Sequence, residues 1–230
     1  MYKVAIIEKI HDDGLELLKK KSNYKFELIT DVSKENLIKK LPEFDACTLR
    51  VSKLDETILK HCPKLKVISR HGVGYDNVDL NYIKKKNISL LITATANAVA
   101  VAEHVIYMMI SISKSINQYD KEVRSGNFKK NASKIVTFEL FNKEILILGF
   151  GRIGKSLIKR CLGFDMKVKI FDPFVSEDII KKFGGSKVES LDDGLKTCDY
   201  LSLHVPLTEK TKNMIDYSKF KTMKNTAIII

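Results

Sequence analysis

No stretch of this sequence stays apolar for the ~20 residues that a membrane-crossing helix needs, although 44% of its 230 residues are hydrophobic. No membrane span is expected from it. The opening MYKVAIIEKI has no basic region ahead of an apolar core, so no secretion signal is expected there; it reads as a first strand. The four cysteines, Cys47, Cys62, Cys161 and Cys198, form no C-x-x-C pair. That absence argues against a zinc site or a disulfide framework and predicts reduced, partly buried thiols in a cytoplasmic protein. No metal is expected. Internal repeats and low-complexity segments are absent too.

Positive charge is plentiful. There are 40 Lys and Arg against 28 Asp and Glu, a net charge of +12. A nucleic-acid binder would use such charge against phosphates. Here the lysines are spread over helix faces (Lys19–Lys21, Lys84–Lys86, Lys181 and Lys182) without interleaved aromatics. Solvated surfaces, and a field that attracts small anions, account for them better than a nucleic-acid partner.

The length suggests one to two domains. Short apolar runs alternate with amphipathic stretches. YKVAIIE, YKFELI, DACTLR, LKVISR and ISLLI read as strands, and DGLELLKKK, SKENLIKKL, DETILKHC and DLNYIKKK as the helices between them. Ser33, Asp55 and Asp79 stand at N-cap positions. Val99–Ile112 is apolar nearly all round, which predicts a helix buried on several sides, in a core or in a subunit interface. Residues 117–143 are polar and read as an irregular connecting arm. A second alternation starts at Glu144, with EILILG, MKVKIF, DYLSLHV and NTAIII as strands and RIGKSLIKRCL, SEDIIKKF and YSKFKTM as helices. The expected fold class is α/β, with two parallel-sheet units over residues 1–97 and 98–230.

One motif carries chemistry. Gly149, Gly151 and Gly154 form G-x-G-x-x-G directly after the strand EILIL and open a helix. In that context the first glycine permits a tight turn, the second lets backbone approach a pyrophosphate, and the third lets helix and strand pack closely. The helix N-terminus offers free N–H groups and partial positive charge to an anion. Asp172 ends the next strand, near the ~20-residue offset at which an acid meets the ribose hydroxyls. Pro173 and Phe174 follow, with no arginine to welcome a 2′-phosphate, which favours NAD over NADP. The competing reading of Asp172 is a turn-former ahead of proline.

Four further stretches join this one: RHGVGYDNVDL (Arg70–Leu80), NAVAVAEHV (Asn97–Val105), CDYLSLHVPLTEKTKNMI (Cys198–Ile215) and the closing FKTMKNTAIII. With Gly149–Pro173, in this order and spacing, they resemble the D-isomer-specific 2-hydroxyacid dehydrogenases, the family of D-3-phosphoglycerate dehydrogenase and glyoxylate/hydroxypyruvate reductase. The resemblance covers essentially the whole chain. It implies a flavodoxin-like substrate domain over residues 1–97 and a Rossmann NAD-binding domain over 98–230. It also implies an oxidoreductase that exchanges a hydride between NAD and a small D-2-hydroxy or 2-keto acid.

Residue by residue, the resemblance implies that the amides around Gly72, Val73 and Gly74 hold the substrate carboxylate. An ordinary flexible turn is the plain alternative. Arg50 matches, loosely, a position near the substrate's far end, and an exposed, salt-bridged arginine is the alternative there. Arg152 and Ile153 would contact the cofactor, and Val205 and Pro206 would line its adenosine side. Val101–Glu103 would begin a helix near the nicotinamide. The helix and arm over residues 99–143 would form a homodimer interface. None of the five histidines, His11, His61, His71, His104 and His204, matches the family's catalytic histidine, and structural roles are expected for them.

The family's catalytic arginine, glutamate and histidine would all lie past Ile230, so the chain reads as C-terminally truncated, with both domains incomplete. The 230 residues alone are expected to be catalytically inactive and to carry an exposed strand edge at NTAIII. The competing function is a non-catalytic NAD-binding scaffold of the corepressor kind.

Overall fold

Alternating apolar residues at the start of the chain form the first strand, β1 (Tyr2–Ile7), whose last four residues are buried. A computed structural model describes all residues from Met1 to Ile230. The chain divides into two units, Met1–Asn97 and Ala98–Ile230.

In the first unit, β1 is followed by α1 (Asp12–Lys19), β2 (Tyr24–Ile29), α2 (Lys34–Lys40), β3 (Ala46–Leu49), α3 (Glu56–Leu59), β4 (Val67–Arg70), α4 (Leu80–Lys85) and β5 (Ser89–Ile92). The strands pair in the order β2-β1-β3-β4-β5, all parallel. This is the 2-1-3-4-5 order of flavodoxin-like sheets. Ala5, Ile7, Cys47, Leu49 and Ile68 pack from the sheet against Leu37, Ile58, Leu59 and Ile83 from the helices. The carboxylates of Asp55 and Asp79 accept the amide hydrogens of Ile58 and Tyr82, capping α3 and α4. Ser33 departs from the expectation: it precedes α2 but its side chain makes no capping bond. Its own N–H donates to Asp31 Oδ1 at 2.9 Å, so the carboxylate two residues upstream organises this turn.

The second unit opens with α5 (Ala98–Ser113), α6 (Ile116–Arg124) and a short α7 (Phe128–Asn131). The expected irregular arm is therefore partly helical. Ile116, Tyr119 and Val123 recur at helical spacing amid polar residues, and Arg124 pairs with Asp120 one turn earlier at 2.8 Å. Within the chain, α5 buries one face. Ala98, Ala102, Val105, Met109 and Ser113 form one buried stripe, while Val99, Tyr107 and Ile112 are exposed.

After α7 come β6 (Glu144–Leu148), α8 (Arg152–Leu162), β7 (Lys167–Phe171), α9 (Glu177–Lys182), β8 (Ser186–Lys187), α10 (Leu191–Thr197), β9 (Tyr200–Leu203), α11 (Tyr217–Thr222) and β10 (Ile228–Ile229). The sequence reading lacks β8 and α10. The strand order is β10-β9-β6-β7-β8, again all parallel. Counted within the unit it reads 3-2-1-4-5, the first five places of the dinucleotide-binding order. The side chains of β6 alternate between the two faces. Ile145 and Ile147 enter one core with α5 and α8, and Leu146 and Leu148 enter the other with Leu195 and Leu201. Both faces of the strand are buried, as a central parallel strand requires. Of NTAIII, only Ile228 and Ile229 pair, against Tyr200 and Leu201.

No single helix is long and apolar enough to cross a membrane; α5 and α6 satisfy the composition only as a pair bent by 61°. All four cysteines are buried and unbonded. Burial pushes the Cys161 thiol up to about 12 and those of Cys62 and Cys198 to about 11, so none of these three is a thiolate at neutral pH.

Tyr200 is 1% exposed, and its hydroxyl has no hydrogen-bond partner. An unpaired buried hydroxyl costs roughly 1–3 kcal/mol. Tyr200→Phe is therefore expected to leave the thermal midpoint unchanged or raise it. A clear fall in chemical denaturation would show that the hydroxyl has a partner.

Candidate functional site

At the C-terminal end of β6 the sheet changes direction: β7 lies on one side and β9 on the other. At such a point connections leave toward opposite faces, and open α/β sheets bind ligands outside the strand ends there. Gly149 occupies this point with φ +91°. A Cβ at Gly149 would lie 2.7 Å from the His204 carbonyl oxygen. Gly154 is more constrained, since its Cβ would meet the Gly149 carbonyl oxygen at 2.4 Å. Gly151 is the opposite case: a Cβ there would meet nothing within 4 Å. Gly149 thus lets the turn lie against the loop after β9, Gly154 lets α8 close onto the end of β6, and Gly151 leaves the approach to the helix open.

Gly151 is the N-cap of the eleven-residue α8, and no side chain caps the helix. The first turn of α8 contains no acid. Arg152 is exposed and belongs to none of the ion pairs, while Ile153 is half-buried. Free N–H groups and the helix dipole meet the open face of Gly151, and the next residue carries an uncommitted guanidinium. This donor set fits a pyrophosphate.

Asp172 follows β7 and reaches across to the turn. Its Oδ2 accepts the Phe150 N–H at 2.7 Å, and its Oδ1 accepts the Phe174 N–H at 2.8 Å. The turn-forming reading of Asp172 is thus correct, and the carboxylate also stands beside the glycine turn. Val205 Cγ1 lies 3.0 Å from where a Gly149 Cβ would sit, and Pro206 is exposed in the same loop. His204 shares a hydrogen bond with Ser202 Oγ at 2.9 Å. Burial lowers its pKa from 6.5 to about 4, so it is neutral at pH 7. Its folded pKa is depressed, so the stability tied to the neutral ring is complete above pH 6.5 and is lost as pH falls toward 4.

The remaining site residues lie in the first unit, at the C-terminal ends of β3 and β4. Gly72 has φ +149°, and a Cβ on it would run into Arg70 Nη1. The guanidinium folds over the glycine and donates to the His71 carbonyl oxygen at 2.7 Å. The amides of Val73 and Gly74 take no part in the backbone hydrogen-bond network and remain free to meet an anion. Arg50 is exposed and enters no ion pair, which removes the salt-bridge alternative.

Glu8 and Asn77 escaped the sequence reading. Glu8 follows β1 at φ +68°. Its Oε2 accepts three consecutive amides, Arg50, Val51 and Ser52, at 3.2, 2.8 and 3.2 Å. Asn77 Nδ2 holds the same turn from its carbonyl side, donating to Ser52 O at 2.8 Å. No local pattern marks either residue, because each acts on a segment more than 20 positions away. No cluster of three or more His, Cys, Asp or Glu is arranged to hold a metal.

The glycines separate experimentally. Gly151→Ala is expected to keep the melting temperature and weaken ADP binding at least about tenfold. Gly154→Ala is expected to cost roughly 1–3 kcal/mol by overpacking. Calorimetric titration and thermal melts of both variants check this; equal effects on stability would contradict the division of labour.

Residues 106–230 match the model of the D-isomer specific 2-hydroxyacid dehydrogenase, NAD binding domain. A D-3-phosphoglycerate dehydrogenase of Archaeoglobus fulgidus is 31% identical over 99% of this chain and 43% of its own length. A glyoxylate reductase of Thermococcus litoralis is 34% identical over 99% of this chain and 71% of its own. The structure of a D-lactate dehydrogenase from Aquifex aeolicus complexed with NAD and lactic acid aligns with a TM-score of 0.83 at 31% identity, covering 98% of this chain and 67% of that one. The chain spans 43% of the length of the phosphoglycerate dehydrogenases of Archaeoglobus fulgidus and Methanocaldococcus jannaschii. The glycine turn, the strand order and these matches agree: the chain belongs to the D-isomer specific 2-hydroxyacid dehydrogenase family, and its second unit is that family's NAD-binding domain.

Proposed function

We propose that the protein to which these 230 residues belong is an NAD-dependent oxidoreductase that moves a hydride between NAD(H) and a D-2-hydroxy acid or its 2-keto acid, and that these residues supply its cofactor and substrate contacts. The observation that carries this reading is the open face of Gly151 at the uncapped N-terminus of α8, with the Asp172 carboxylate beside it. When bound, the nicotinamide supplies the hydride acceptor or donor. The chain's own residues bind and orient. The amides at the start of α8 hold the pyrophosphate, with Arg152 and Ile153 against it. Asp172 accepts from the ribose hydroxyls and repels a 2′-phosphate. Val205 and Pro206 line the adenosine side.

In the first unit, Val73 and Gly74 offer amides to the substrate carboxylate, and Arg50 reaches for a second anionic group. A free arginine and a net charge of +12 favour a dianionic acid of the phosphoglycerate kind over glyoxylate or hydroxypyruvate. The relatives carry both kinds of name, D-3-phosphoglycerate dehydrogenase and glyoxylate or hydroxypyruvate reductase, so the choice rests on charge.

A second copy of the chain is the proposed partner, through residues 99–143. Val99, Tyr107, Ile112, Val123 and Val136 leave apolar surface there, with Val136 81% exposed; such a patch marks an association surface. Four buried, unbonded thiols suit the reducing cytoplasm.

Isothermal titration of the purified chain with NAD and NADP tests the cofactor half. NAD is expected to bind at least about tenfold more tightly. Equal or tighter binding of NADP would remove Asp172 from the role given to it, and no binding of either would sink the reading.

A further inference from the structure

The Asp172 carboxylate joins two loops in the ligand-free protein. Phe150 lies between Gly149 and Gly151, so its backbone is flanked by the two most permissive residues. Its ring is fixed: it is 1% exposed and meets Phe183 edge-on at 5.3 Å. Its amide is a different matter. The Gly149 N–H donates to the Phe171 carbonyl oxygen at 3.0 Å, and no backbone carbonyl takes the Phe150 N–H. The acceptor for that donor is Asp172 Oδ2. The second oxygen is held by the Phe174 N–H, so the carboxylate is fixed at both atoms.

We infer that Asp172 is a positioning residue for the pyrophosphate turn: it sets the backbone between Gly149 and Gly151, and hence phosphate affinity, even for a ligand with no ribose hydroxyls to offer it. An ionised carboxylate has about four acceptor sites. Two amides occupy two of them, which leaves two for a ribose diol, so both roles coexist without displacement. Asparagine cannot do the same, because its NH2 group would face one of the two amide hydrogens. Cofactor choice and turn geometry are therefore coupled through one side chain. Removing the charge to admit a 2′-phosphate loosens the pyrophosphate site as well. The ligand half of this inference rests on the NAD reading above; the turn-holding half does not.

The experiment titrates ADP and 2′,3′-dideoxy-ADP into the full chain, wild type and Asp172→Asn, and follows amide hydrogen exchange of the ligand-free proteins by NMR. Asp172→Asn is expected to weaken dideoxy-ADP at least fivefold and ADP by more. Exchange at Phe150 should quicken at least tenfold in the variant. A variant that loses affinity for ADP and keeps it for dideoxy-ADP confines Asp172 to the ribose and overturns the inference. So does a Phe150 amide that exchanges at open-loop rates in the wild type, a result independent of whether the variant folds. If neither nucleotide binds the wild type while its Phe150 amide is protected, and that protection is lost in the variant, the NAD reading fails and the turn-holding role stands.

Discussion

Helix α8 lies so close to β6 that a methyl group on Gly154 would sit 2.4 Å from the Gly149 carbonyl oxygen. The second unit depends on this approach. It places the helix N-terminus at the C-terminal end of β6, and it brings the buried face of α8 (Leu157, Ile158 and Cys161) onto Ile145 and Ile147. It also sets α8 against α5, where Arg160 meets Glu103 at 2.9 Å. A side chain at this joint would lift the helix, and the phosphate cradle and the core beneath it would move together.

The two units solve one polar problem in the same way. Past the C-terminal ends of parallel strands the loops leave the ladder, and their amides lose its partners. A buried or half-buried N–H still requires an acceptor. In the first unit Glu8, just past β1, collects the amides of residues 50–52 beyond β3. In the second, Asp172, beyond β7, collects those of Phe150 and Phe174. In each case a carboxylate from one strand end fixes the loop of its neighbour, and that loop carries residues assigned to ligand binding. Charge-assisted bonds of this kind are stronger than neutral ones, which suits loops that must keep their shape in the absence of a ligand.

Much of the fold was legible because burial imposes a period. Apolar runs bounded by turn residues located the strands of both sheets, and the glycine spacing located the turn after β6. The misses have different causes. In α6, Ile116, Tyr119 and Val123 supply a sparse stripe, too thin to stand out from the polar residues between them. For α10 a signal was present, since Ser190 caps the helix by accepting from the Asp193 N–H. At α2 the cap signal misled, because a serine in the right place competed with an aspartate two residues earlier. In NTAIII composition overstated length, since a turn at Asn225 and Thr226 leaves two residues for the ladder.

The sequence by itself determined the two parallel α/β units, the glycine turn and the acid that follows the next strand, because those features obey local rules of period, turn conformation and spacing. Tertiary structure decided what the polar groups at the strand ends do. Whether the Asp172 carboxylate waits for a ribose or also grips a loop, and whether Glu8 is a surface acid or the anchor of a turn, depends on amides 22 to 44 positions away. Hydrogen bonds over such separations are set by the order in which strands pair, and a chain's local pattern does not encode that order residue by residue.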